Sequence, residues 1–217
     1  MVPTRRLLVV VALSVPLGCT FFESKVRVYV DNGGSADFEV SVDEATAVTV
    51  PAHGYAVLEL KPGSHRFVVR RQGQALYDQS RTFPTSDKVT KYVLNPDMTN
   101  RYTTQVVNYH GSGWSAPTFD TGAGDALRAT ALLKPDPWVA GGFDEVLDET
   151  PPKSVRKKRG NLDPVRIRLC RIAPADHDRL AAAQAEYLKA LQNKPDQLPS
   201  LDSDTEAALQ RVLRACP

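Results

Sequence analysis

The chain has 217 residues, 42% apolar, 24% charged and 7% aromatic. That composition excludes a wholly disordered or collagen-like polymer and suits one domain of moderate size, or one domain with an appendage. The 27 basic and 25 acidic residues give a formal charge of +2. Arg5 and Arg6 are the only charges among the first 18 residues, so a chain without them is neutral. A neutral chain lacks the sustained positive surface that phosphate-backbone binding needs, which excludes nucleic acid as the main partner.

Residues 1–18 read as an export signal. Arg5 and Arg6 form a positive region, residues 7–15 are apolar apart from Ser14, and Gly18 is a small residue at a processing position. The apolar run is shorter than the roughly 20 residues a membrane-spanning helix needs. Val15-Pro16-Leu17-Gly18-Cys19 resembles the lipobox of bacterial lipoproteins. In that family a small residue precedes a cysteine whose thiol receives a diacylglycerol. Leu17, Gly18 and Cys19 match its last three positions, while Pro16 stands where an aliphatic residue is usual. The resemblance implies lipidation at Cys19, and Thr20 in place of aspartate implies the outer membrane. Two or more acyl chains anchor stably, each buried methylene contributing about 0.8 kcal/mol. With Cys19 so used, Cys170 and Cys216 remain as a pair for an oxidising compartment, closing a loop of 47 residues. Loop entropy puts such a bridge at about 4 kcal/mol.

Residues 19–25 read as a tether. From Val26 the pattern has period two, the mark of half-buried strands. Val26, Val28 and Val30 alternate with Arg27, Tyr29 and Asp31, and Phe38, Val40 and Val42 alternate with Glu39 and Ser41. Further strands are predicted over 47–50, 55–60, 64–71, 89–94 and 101–109, divided by turns such as Lys61-Pro62-Gly63. Seven short strands predict a β-sandwich over residues 26–109. The hairpin Leu60-Lys61-Pro62-Gly63-Ser64-His65 with the strand after it, and Val40-Ser41-Val42-Asp43 before it, resembles bacterial immunoglobulin-like surface modules of the PEGA type, with Glu44 where that family carries glycine. The resemblance implies a sandwich used in attachment or assembly and brings no catalytic residues with it.

Residues 110–172 read as a Gly-rich loop followed by extra strands. A segment over 126–133 is either a short helix or a strand. Strands over 143–147 and 165–172 are predicted to form a hairpin with a basic tip, carrying Lys153, Arg156, Lys157, Lys158 and Arg159. That tip is either a solvated turn or a contact for anionic lipid, peptidoglycan or an acidic partner. Tyr109, His110 and Trp114 lie at the start of the Gly-rich segment; the aromatics either stack on a sugar or pin their own loop. Residues 173–217 read as a helical hairpin, stapled by Cys170–Cys216. Pro174 opens its first helix, and a capping box of Ser203 and Glu206 opens its second. The fold class expected is therefore mainly β: an immunoglobulin-like antiparallel sandwich with a C-terminal α-helical hairpin.

No constellation points to chemistry. His53, His65, His110 and His177 have no metal-ligand spacing, and no GxSxG elbow occurs. Asp202, Asp204 and Glu206 imitate a calcium loop, but Ala207 and Leu213 occupy its glycine and glutamate positions. The expectation is a non-enzymatic envelope lipoprotein without cofactor or metal. It would be lipid-anchored at the outer membrane and would meet an envelope protein or a cell-wall glycan.

Overall fold

The computed structural model describes residues 10–11, 25–86, 90–110, 113–115, 123–150, 152, 165–194 and 197–214. The protein is mainly β, with three sheets and C-terminal helices. In chain order the elements are β1 (Val10–Val11), β2 (Val26–Asp31), β3 (Phe38–Val42), β4 (Val48–Val50), β5 (Tyr55–Leu60), β6 (Gly63–Arg71), β7 (Gln74–Phe83), β8 (Thr90–Leu94), β9 (Arg101–His110), β10 (Gly113–Ser115), α1 (Ala123–Ala129), β11 (Ala131–Leu132), β12 (Trp138–Ala140), β13 (Glu145–Val146), β14 (Val165–Ile172), α2 (Pro174–Asn193) and α3 (Ser203–Leu213). The chain divides into two compact units, Met1–Thr99 with Asp136–Gly142, and Asn100–Pro135 with Phe143–Pro217.

The first unit holds two sheets, ordered β1-β5-β2-β8-β12 and β4-β3-β6-β7. Alternation sends Val28, Val30, Leu58 and Leu94 from one sheet, and Phe38, Val40, Phe67 and Val69 from the other, into one shared apolar core. Trp138 of β12 packs edge-on against Phe67, with ring centroids 5.0 Å apart, and its indole N–H donates to the Tyr77 hydroxyl at 2.6 Å. That satisfies the polar end of a large, half-buried ring.

β7 lies on a stretch that the sequence does not mark as a strand. Apart from Ala75, Leu76, Tyr77 and Phe83 it is polar, and most of its side chains are exposed. A two-residue turn fixes its register with β6: Arg71 pairs with Gln74, and Gln72 and Gly73 have φ of 51° and 80°. The turn after β3 is of the same kind. Ala45 N donates to Val42 O at 2.9 Å across Asp43 and Glu44, whose φ values are 50° and 64°.

The second unit is built on the sheet β10-β9-β14-β13, with β11 on β9. The sequence groups residues 101–109 with the preceding strands; here β9 pairs along its length with β14, Arg101 facing Ile172 and Asn108 facing Val165. Within the segment read as a Gly-rich loop, β10 folds back on β9 and α1 follows. The open choice over 126–133 resolves as both, a helix ending at Ala129 and then a strand. The expected hairpin between 143–147 and 165–172 is corrected: β13 runs parallel to β14. A parallel pair cannot close through a tight turn.

α2 and α3 bury Leu180, Tyr187, Ala208, Leu209 and Val212 with Leu127 and Ile172. Leu188 of α2, next to the buried Tyr187, is 42% exposed. Asp202 caps α3 by accepting from Thr205 N at 2.7 Å, so the cap lies one residue before the expected Ser203. Asp176 of α2 takes both Nε and Nη2 of Arg211, at 2.9 and 2.6 Å.

Candidate functional site

The strand registers bring one set of chain positions to a single end of the first unit. Val26, where the chain enters β2, pairs with Leu60 and Thr90. The Lys61-Pro62-Gly63 turn, the β3–β4 turn and the last residues of β7 lie at that same end. A mainly apolar cleft of about 130 Å3 opens there, lined by Val40, Val42, Val48, Leu58 and Leu60 together with Ala45, Thr46 and Glu59. β5 borders it, and the edge of β5 carries β1 in parallel, Val10 against Val57 and Val11 against Leu58.

Charged side chains surround this end. Glu59 pairs with Lys25 at 3.3 Å and with Arg27 at 3.1 Å, and Arg27 faces Lys91 across the ladder. The hydrogen bond from Lys25 holds the Glu59 carboxyl below its ordinary value; burial opposes this, and the Lys25 charge and Arg27 reinforce it. His65 sits between two acceptors, with Nδ1 2.6 Å from Asp43 Oδ2 and Nε2 2.8 Å from the Lys61 carbonyl. Burial pushes Asp43 up, but the Arg66 N–H and the hydrogen bond and charge of His65 outweigh it, and its carboxyl lies below the ordinary value. The "L-x-P-G-x-H" histidine thus ties two turns together and has a structural task.

The second feature is the β9–β10 hairpin. Trp114 stands directly opposite Tyr109, and Gly113 opposite His110. The three positions named from the sequence thus fall on one short hairpin, Tyr109 and Trp114 at one register position and His110 at the next. Cys170 is buried in β14, opposite Thr103. Gln105 of β9 donates to the Leu213 carbonyl at 3.1 Å, which fastens the end of α3 beside this sheet. Cys19, Cys216, Lys153, Arg156, Lys157, Lys158 and Arg159 lie outside the described residues.

Two groupings escape a sequence reading. One is the cleft with its charged rim, whose parts come from β2, β3, β4, β5 and β8 and carry no local motif. The other is the buried charge of the second sheet. Arg168 is 1% exposed and donates to the Glu149 carbonyl at 3.3 Å, and Arg166 pairs at 2.7 Å with Glu145, itself 4% exposed. Arginine alternating with Ile167 and Leu169 looks like an outward-facing row, which hides this burial. Among the described residues no group of three His, Cys, Asp or Glu side chains is placed to hold a metal ion, and no helix is long and apolar enough to cross a membrane. No family model and no curated protein matches the chain.

Proposed function

We propose that this is a bacterial envelope lipoprotein, anchored at the outer membrane through acylated Cys19 and acting as a non-enzymatic module for assembly or adhesion. The observation that carries the reading is the spacing between lipobox and fold. β2 begins at Val26, seven positions after Cys19, so the acylated residue would be followed by a short tether and then by β-structure. Two sheets closing over one core support an immunoglobulin-like sandwich for the first unit. A bridge between Cys170 and Cys216 would staple the helical pair to β14. Its support is the burial of Cys170 and the hydrogen bond that holds Leu213, three residues before Cys216, to the neighbouring strand.

Metabolic labelling with an alkyne fatty acid tests the anchor. The protein is expected to take the label and Cys19→Ser to abolish it; labelling that survives Cys19→Ser would refute the assignment. Crosslinking in intact cells tests the module, with a stoichiometric envelope partner as the expected result.

The register that sets Trp114 opposite Tyr109 in the ladder favours a second reading, a carbohydrate-binding role at the cell wall. A paired aromatic face is a platform for sugar rings. Under this reading peptidoglycan sacculi retain the protein and Trp114→Ala weakens retention by tenfold or more. Equal retention of the two proteins would remove its basis.

A further inference from the structure

The first unit is electrically polar along its strands. The described residues at the end where the chain enters include six bases, Lys25, Arg27, Lys61, Arg66, Arg81 and Lys91, against four acids, Asp43, Glu44, Glu59 and Asp78. The opposite end holds two bases, Arg70 and Arg71, against five acids, Asp31, Asp37, Glu39, Asp97 and Asp136. One end thus has an excess of two positive charges and the other an excess of three negative ones. The apolar cleft opens at the positive end, and that is also the end to which the tether from Cys19 leads.

We propose that this end is a membrane-docking face: it rests on anionic phospholipid headgroups, with the basic rim toward the phosphates and the apolar cleft toward the interface. The inference builds on the lipid-anchor reading, which fixes the end that meets a bilayer. Three features converge on it. Lys25 and Lys61 are exposed, and Arg27 and Lys91 flank them on the same ladder, so the rim has charge of the sign that anionic headgroups attract. The acidic far end is repelled by the same surface, which sets orientation as well as affinity. Finally, at about 3.3 Å per residue the seven-residue tether spans at most about 23 Å, so anchoring through Cys19 keeps this end within a few Debye lengths of the lipid surface, where the field acts.

The test is flotation of the full chain with phosphatidylcholine vesicles and with vesicles carrying three parts in ten phosphatidylglycerol, at low and high salt. The proposal predicts tighter partitioning onto the anionic vesicles, lost at high salt. It also predicts at least a tenfold fall in that anionic increment for the triple variant Lys25→Gln, Lys61→Gln, Lys91→Gln. Arg70→Gln, at the far end, is expected to keep the wild-type increment. The leader's Arg5 and Arg6 are present in every protein compared and cancel. An unchanged increment in the triple variant, or no preference of the wild type for anionic vesicles, overturns the proposal; the second result needs no variant to fold. Fatty-acid labelling reads the anchor separately. Labelling without vesicle preference therefore refutes the docking face alone, and absence of labelling refutes the anchor alone.

Discussion

At the scale of single residues, Glu44 is one of several non-glycine positions in the first unit held at positive φ. It follows Asp43 in a turn whose two central residues both have positive φ, a conformation that disfavours any side chain other than that of Asn, Asp or Gly. Here the strand-to-strand turn is forced by the register of β3 with β4 and β6, and Glu44 accepts it. Glu44→Gly is therefore expected to stabilise the protein by about 1 kcal/mol, the cost of a left-handed backbone at a non-glycine residue. Urea denaturation reads this directly; an unchanged or lower midpoint would contradict it. Asp97 supplies a pH-dependent term. Burial alone would push its carboxyl up, but hydrogen bonds from Thr99 and Arg71, with the Arg71 charge, outweigh it and hold it below the ordinary value of 3.8. Its folded pKa is depressed, so the stability it contributes is present above the unfolded pKa and is lost as pH falls through the folded one. Asp97→Asn should flatten the fall of stability below about pH 4. Denaturation curves from pH 3 to 6 that fall equally steeply in both proteins would refute the assignment.

At the scale of elements, packing decides what local pattern leaves open. α1 has only seven residues and would not be stable alone. It is held because Gly124 lies against the Tyr187 ring of α2: a Cβ there would sit 2.6 Å from Cε2 and 2.9 Å from the hydroxyl oxygen. Gln184 of α2 donates to the Leu127 and Thr130 carbonyls, which closes the end of α1. Gly124→Ala must displace a buried aromatic ring and is expected to destabilise by about 1–3 kcal/mol, with loss of the thermal cooperativity of the second unit. A neutral result would mean that α1 is not seated on α2. The same contrast explains what the sequence shows. β3, β5 and β6 alternate more and less buried positions, and β2 keeps the same alternation of valine with other residues although nearly all of it is buried, so their pattern is read at once. β7 exposes most of its side chains, and its pairing comes from the Gln72-Gly73 turn rather than from hydrophobic alternation. β10 has three residues, too few for any period to register. The direction of β13 is set by a crossover partner far along the chain.

At the scale of the whole molecule, fold class was more legible than site. The mainly β composition with C-terminal helices follows from local periodicity, and so do the boundaries of most strands. Which sheet β9 joins does not, because its alternating residues suit either sheet and its long pairing with β14 decides the matter. Tyr109 and Trp114 were visible as aromatics near a turn, but their direct opposition appears only in the register. The cleft and the charge polarity of the first unit were invisible, since each collects single residues from strands distant in sequence. The functional account hangs on one covalent event, acylation of Cys19, from which the tether and the pairing of the remaining cysteines follow. The measurement that tests it most directly is the intact mass of the protein extracted from membranes of an exporting bacterial host, with and without reductant. The account predicts the mass of residues 19–217 plus acyl chains, with a gain of two hydrogens on reduction. A soluble, unacylated mass would contradict it, leaving Cys19 an odd free thiol and the envelope anchor without a chemical basis.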